Sequence, residues 1–276
     1  MTFRTAEGLI VPPVTAEQMR EVDRIAMEDF GLSVLQMMEN AGRNLAQNVI
    51  DMLDAAEARP EFRSKSIGVP GSRKEVTILA GSGGNGGGGL CCGRHLLNRG
   101  FRVWVVLSKD AGELGGAAAN QLHILRKAGL APVKPEQAVQ VVRRSDLVVD
   151  ALIGYSLRGA PRGRVAELIT LCNEHAKRVL SLDLPSGMNA TTGEAPGAMV
   201  WPERTLTLAL PKTGLELLRG ELYLADIGIP PEVYRPLGLT FEWPFRRRYW
   251  VRLETEVSSC VLSVSDRGEQ PSLLVR

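Results

Sequence analysis

From residue 76 onward, short runs of β-branched and aliphatic residues alternate with longer stretches in which apolar positions recur every three or four residues. The first kind of run predicts strands at 76–80, 101–107, 147–152, 178–183, 204–210 and 221–225, with a weaker one near 131–133. The second predicts helices at 89–99, 115–128, 135–143 and 164–176. Upstream, residues 15–52 read as two helices broken at Gly31, with Thr15 in an N-cap position and Gln18 three residues on. Residues 60–73 follow neither period and form a basic loop containing Gly and Pro. The strand runs are apolar without alternation, as a sheet covered on both faces requires. The pattern therefore predicts an α/β fold: a three-layer sandwich with helices on both sides of a mostly parallel, doubly wound sheet.

A length of 276 residues, 44% hydrophobic and 23% charged, suffices for one large core. The net charge of +2 sets up no field that would gather nucleic acid or an anionic membrane, so a small molecule is the expected partner. The first fifteen residues lack the apolar core and cleavage site of a leader, and no apolar run reaches the roughly 18 residues of a membrane span. The four cysteines (Cys91, Cys92, Cys172, Cys260) have neither C-x-x-C spacing nor a dense framework, which fits a reducing, cytoplasmic compartment. Cys91 and Cys92 lie near a helix start that would activate a thiol, yet burial as small hydrophobes is the favoured reading. His95, His123 and His175 fall within predicted helices, where packing or surface roles are expected.

Doubly wound sheets bind ligands outside the carboxyl ends of their strands, and three such ends carry candidate chemistry. The first is 76–89 (VTILAGSGGNGGGG), where a strand runs into glycines holding the single amide Asn85, the composition of a loop that lets backbone approach a ligand. The second is Asp150 with the loop 154–163 (GYSLRGAPRG), and the third is 183–187 (DLPSG). Gly81, Gly83 and Gly86 satisfy G-x-G-x-x-G, which alone suggests a nicotinamide dehydrogenase with Asp110 at the ribose; the extra glycines and Asn85 argue against it. Asp150 and Asp183 each close an apolar strand, where a carboxylate needs a cation or hydrogen-bond donors. Asn85, Asp150 and Ser186 together offer only oxygen ligands, a set suited to a hard ion. Capping of helices or loop N–H groups by either acid is the alternative. Arg158, Arg162 and Arg164 flank the second loop and match phosphate geometry, with solvated surface roles as the alternative, and Lys212 follows another strand end.

These segments resemble one family in order and spacing from about residue 15 to 235. The stretches that carry the resemblance are 19–46 (MREVDRIAMEDFGLSVLQMMENAGRNLA), 81–96 (GSGGNGGGGLCCGRHL), 147–163 (LVVDALIGYSLRGAPRG), 181–194 (SLDLPSGMNATTGE), 206–215 (LTLALPKTGL) and 225–230 (ADIGIP). The chain resembles the NAD(P)H-hydrate epimerases, the YjeF N-terminal domain family. The resemblance implies interconversion of the R and S forms of NADHX and NADPHX, the hydrates of NADH and NADPH. It also implies a Rossmann-like α/β/α sandwich, a homodimer, and a bound potassium ion (K+) held by Asn85, Asp150 and Ser186. By position, the substrate-binding residues are Gly84, Asn85, Gly86, Gly87 and Gly88, then Gly154, Tyr155, Ser156, Leu157, Arg158, Gly159 and Ala160, with Asp183. Asp183 is the catalytic candidate, because it is the matched carboxylate left once potassium takes Asp150.

One departure bears on activity. The family loop usually reads G-N-N-G-G-D-G, whereas Gly84 stands here at the first asparagine and Gly88 at the aspartate. Losing a charged hydrogen bond to ligand costs about 1.5–3 kcal/mol. A non-catalytic module of the same fold, binding a nucleotide or a protein, is therefore the competing reading. The resemblance sets an epimerase-like domain at 1–240 apart from an extension at 241–276. In that extension, Trp243, Phe245, Tyr249 and Trp250 surround Arg246, Arg247 and Arg248. Basic-aromatic runs bind nucleic acid or membrane surfaces, but packing on the domain or on a partner subunit is favoured. Family members are often fused to a hydrate dehydratase, and the residues after 240 are too few to hold one, so a separate dehydratase is expected to complete repair.

Overall fold

The computed structural model of the chain describes residues 2–58 and 73–256, so most of the predicted loop at 60–73 lies outside the described residues. Two short strands come first, β1 (Thr2–Thr5) and β2 (Ile10–Val11). Helix α1 (Ala16–Arg24) follows, and its start is closed as the sequence predicts: Gln18 N donates to Thr15 Oγ1 at 3.2 Å and Thr15 N to Gln18 Oε1 at 2.9 Å. A π-helical turn, Ile25–Asp29, then leads through Gly31, at φ +73°, into α2 (Val34–Ala58).

The remainder alternates strand and helix. In order come β3 (Glu75–Ala80), α3 (Gly84–Leu97), β4 (Arg102–Leu107), α4 (Gly116–Lys127), α5 (Ala138–Arg144), β5 (Leu147–Ala151), α6 (Gly163–His175), β6 (Val179–Leu182), β7 (Arg204–Leu208) and β8 (Glu221–Ala225). Strand β9 (Trp250–Glu256) completes a nine-stranded sheet of order β2-β1-β9-β8-β7-β6-β5-β3-β4. Strands β3 to β8 pair in parallel, and β9, β1 and β2 extend the β8 edge antiparallel. The region after residue 240 thus contributes a strand to the same sheet. Phe245, 1% exposed, packs edge-on against Trp243, with ring centroids 5.1 Å apart.

Period-two alternation within the strands divides the core between two faces. Val76, Ile78, Ala80 and Val149 join Leu45 and Met52 of α2, Leu90 of α3 and Leu125 of α4. Leu79, Val106 and Val148 turn the other way, onto Val142 of α5 and Ile169 of α6. This is the predicted three-layer α/β/α sandwich, each buried Val or Leu contributing about 1.5–3 kcal/mol of transfer free energy.

Local expectations need correction. The glycine tract is not a loop: α3 begins at Gly84, five residues before the predicted start at 89. Its glycines serve close packing, since a Cβ at Gly86 would stand 1.8 Å from Gly81 O and one at Gly89 2.5 Å from Ala151 Cβ. No strand forms at 131–133, where Val133 N makes one bond to Val105 O at 2.9 Å. The run at 204–210 stops at Leu208 because Ala209 turns to φ +62°. Strands β1, β2 and β9 have no counterpart among the sequence expectations.

Candidate active site

A cavity of about 560 Å³ opens at the carboxyl edge of the sheet, where the residues following β3, β4, β5, β6 and β7 converge beneath α1 and α2. It spans the gap between β3 and β5, the point where the strand order reverses and the fold leaves a crevice. Methionines from α1, the π-helical turn and α2 (Met19, Met27, Met37, Met38) form one wall, and polar groups from the strand ends form the other.

Of the residues singled out by sequence, Gly84, Asn85, Gly88, Gly154, Tyr155, Ser156, Asp183 and Lys212 line this cavity. Gly86 and Gly87 lie buried beneath it, and a Cβ at Gly87 would meet Met38 Cε at 2.5 Å. Leu157, Arg158, Gly159 and Ala160 continue outward along the loop, with Arg158 exposed. Asp150 and Ser186 sit behind the cavity wall, both 0% exposed. Asp110, the acid that a dinucleotide fingerprint would need, instead caps the 3-10 turn Ala111–Glu113.

Asp183 occupies the left-handed region at φ +68°, an uncommon conformation for a residue other than glycine, and it turns the chain sharply as β6 ends. Its Oδ1 accepts from Lys212 Nζ, and its Oδ2 accepts from Tyr155 N at 3.0 Å. Lys212 Nζ also donates to Leu208 O at 2.8 Å. The pair is shut away from solvent, with side chains 1% (Lys212) and 4% (Asp183) exposed. The Tyr155 hydroxyl donates to Oδ2 of Asp23, on α1. Burial, together with the Asp23 carboxylate, pushes the Tyr155 phenol well up, so it stays a donor.

Asp23 was not among the sequence candidates. It stands four residues after Met19 and four before Met27, so an acid within the apolar stripe of a helix was the available signal.

Behind the wall, Asp150 accepts four hydrogen bonds, all from uncharged donors: Ser181 Oγ at 2.7 Å, Ser186 N at 2.9 Å, Ser186 Oγ at 2.5 Å and Leu152 N at 3.3 Å. Burial raises its pKa against the pull of these bonds. Ser186 Oγ also accepts from Ile153 N at 2.9 Å and lies 3.3 Å from Ile153 O. Asn85 Nδ2 donates to Leu182 O at 3.2 Å, while its Oδ1 faces Gly154: a Cβ there would come within 3.2 Å of that oxygen and 2.9 Å of Asp183 Oδ2. A buried carboxylate with neutral partners, beside hydroxyl and carbonyl oxygens, is a donor set that fits a hard cation, and the Asn85 amide oxygen reaches the adjoining loop at Gly154.

A second polar cluster lies apart from the cavity. Glu39 of α2 meets His95 Nε2 at 2.8 Å, Arg94 and Cys91 Sγ, which is 3.4 Å away. It ties α2 to α3 where Gly42 allows close approach, and burial pushes the Cys91 thiol up to about 12. Cys92 and Cys172 are also buried, and burial raises both thiols. The burial reading of Cys91 and Cys92 is the one this packing supports.

A family profile described as YjeF-related protein N-terminus matches residues 34–214, a span that contains Asn85, Asp150, Asp183, Ser186 and Lys212. The chain belongs to this family. A member from Dehalogenimonas lykanthroporepellens, named NAD(P)H-hydrate epimerase, is 49% identical over 258 residues, covering 92% of this chain and 97% of its own. Another of that name, from Rhodopirellula baltica, is 36% identical over 84% of this chain and 90% of its own. A bifunctional NAD(P)H-hydrate repair enzyme Nnr from Salinibacter ruber is 34% identical, and there the match covers 44% of the longer protein. The crystal structure of yeast ynu0, YNL200c, superposes with a TM-score of 0.72 at 21% identity, covering 88% of this chain and all of that one, and so shares the fold. Asp23 lies outside the span that the YjeF-related profile matches.

Proposed function

We propose that this protein is an NAD(P)H-hydrate epimerase, an isomerase that interconverts the R and S forms of NADHX and NADPHX. The observation that carries this reading is the 49% identity, over nearly the full length of both chains, to a relative of that name. The bifunctional relatives support a functional link to a hydrate dehydratase that completes repair.

In the hydrate, the hydroxyl on C6 neighbours the ring nitrogen, whose lone pair can expel it and leave a planar iminium open to water from either face. The protein must position that ring, carry a proton to and from the departing oxygen, and keep bulk water out. Asp183 is the assigned proton carrier: Lys212 and the Tyr155 N–H fix its carboxylate at the cavity floor. The methionine wall limits access of other water to the reacting carbon. The first N–H groups of α3, which have no intrahelical partner, favour the dinucleotide's phosphates, with Arg158 on the adjoining loop. Potassium would be held by Asn85, Asp150 and Ser186, with Ile153 O, where it neutralises the buried carboxylate. Ser186 then locks the loop after β6 to the loop after β5.

Met27, Phe30, Val34 and Leu35 form an exposed apolar rim beside the cavity, which supports a homodimer. Light scattering on the purified protein tests that point. The three cysteines among the described residues are free and buried, which suits a reducing, cytoplasmic setting. No helix among the described residues is long and apolar enough to cross a membrane.

The absence of side chains at Gly84 and Gly88 favours a second reading, a non-catalytic nucleotide- or protein-binding module. Separated S and R hydrates of NADH, incubated with the protein in potassium and in choline buffers, distinguish the two. Equilibration of either epimer supports the enzyme; unchanged epimers at high protein concentration support the module.

A further inference from the structure

Inversion at C6 asks for two proton carriers: one that protonates the hydroxyl as it leaves one face, and one that takes the proton of the water adding to the other. Asp183 supplies one. We propose that Asp23 is the second proton-carrying carboxyl of this cavity, acting on the C6 oxygen from the far end of Tyr155, an inference that rests on the epimerase reading.

Asp23 lines the same cavity as Asp183 but reaches it from α1, whereas Asp183 comes from the end of β6. Tyr155 spans the two, with its backbone N–H on Asp183 Oδ2 and its hydroxyl on Asp23 Oδ2. They are thus held about a tyrosine's length apart along one wall. Both oxygens of Asp183 are engaged, one of them by a cation. For Asp23, no described residue donates to the second oxygen, which is left for a ligand. The environments are opposite in kind: Asp183 is ion-paired with Lys212, while Asp23 has only a neutral phenol as hydrogen-bond partner. Burial raises the Asp23 pKa, opposed by the Tyr155 hydrogen bond and the Lys212 charge and reinforced by the Asp183 charge. Two carboxyls in such unlike surroundings, one held by a cation and one by a neutral phenol, divide the roles of acid and base between them.

Protonated Asp23 gives its proton to the C6 oxygen as the C–O bond breaks and the nitrogen lone pair forms the C=N bond, releasing water. Water adds to the opposite face, the C=N electron pair returns to nitrogen, and the proton of the added water passes to Asp183. The reverse direction starts from protonated Asp183, and exchange with solvent resets both acids.

The test uses the full chain and separated S and R hydrates of NADH, with initial rates measured against pH. The charged or titratable groups facing Asp23 are Tyr155, Asp183, Lys212 and Tyr234, with Arg20 beside Tyr155. Asp23→Asn is expected to lower kcat about 100-fold or more with KM within about threefold, and to remove the alkaline limb in the direction that needs protonated Asp23. Tyr155→Phe removes a hydrogen bond that favours ionised Asp23, so that limb moves to higher pH while the ring keeps its packing. A merely structural role would not move it. An Asp23→Asn protein with kcat within about threefold of wild type, or a Tyr155→Phe profile that does not shift, overturns the proposal; if Asp23→Asn fails to fold, the Tyr155→Phe profile decides alone. A wild-type protein that equilibrates neither epimer overturns the epimerase reading itself, and this inference with it.

Discussion

Lys212 donates to Asp183 across the carboxyl edge of the sheet, and neither side chain has meaningful access to solvent. A charge pair buried this deeply holds only while both partners are present, because either one left alone is an uncompensated ion in a poorly polarisable place. Lys212→Met is therefore expected to destabilise the fold by about 3–5 kcal/mol in urea titration. The double variant Lys212→Met/Asp183→Asn should lose less than the sum of the two single changes. Additive losses would show the pair to be uncoupled.

Asp183→Asn keeps the shape of the side chain, removes its capacity to take a proton and leaves Lys212 without its counter-ion, so its activity is read on protein shown to be folded. Epimerisation should fall by about 100-fold or more with hydrate binding nearly unchanged, because Tyr155 N can still donate to the amide oxygen. Normal turnover by this variant would remove Asp183 from the chemistry.

The oxygen cluster around Asp150 predicts a specific salt effect. Potassium at a hundredfold over its Kd should raise stability by about 2.7 kcal/mol relative to choline at equal ionic strength, read as a shift in Tm. Asp150→Asn should abolish the increment, since it removes the charge that the four neutral donors leave uncompensated. Equal increments in wild type and variant would place the cation elsewhere.

The glycine tract separates into positions that must be glycine for packing and two, Gly83 and Gly84, that need not be. Gly84 has nothing within 4 Å of an added Cβ, so Gly84→Ala should stabilise α3 by up to about 1 kcal/mol. Gly86→Ala puts a methyl 1.8 Å from Gly81 O, a backbone atom that cannot step aside, and should cost about 3 kcal/mol or more. Urea midpoints of the two variants test the contrast directly. In the same space, Gly84→Asn has room for an amide at the cavity and is expected to raise kcat/KM for the hydrate about tenfold, the worth of one hydrogen bond to ligand.

Those glycines also mark the limit of what local pattern reveals. Strands β3 to β8 and most helices were legible because apolar periodicity reports burial, and burial on both faces of β3 to β7 is what the sandwich needs. The first turn of α3 was not, because four of the first five residues are glycine, the poorest ordinary helix former. Its helicity comes from tertiary packing against Met38 and Ala151, which no local window contains. The pairing of β1 with β9 joins Thr2–Thr5 to Trp250–Glu256, at opposite ends of the chain, and leaves no local trace.

Within the site, acids closing apolar strands announced Asp150 and Asp183. Asp23 looked like an ordinary helical aspartate until α1 folded over the cavity and Tyr155 reached it. The left-handed turn at Asp183 was hidden for a related reason: nothing in a non-glycine residue advertises positive φ, which tertiary contacts impose on it.

Interconversion of the two hydrate epimers in this cavity is read by supplying each epimer separately. Chromatographically pure S hydrate of NADH, mixed with the purified full chain in potassium buffer, should approach the same epimer ratio as pure R hydrate, faster than in protein-free controls and with wild-type rates lost in Asp183→Asn. Two samples that keep their separate compositions at high protein concentration would contradict it.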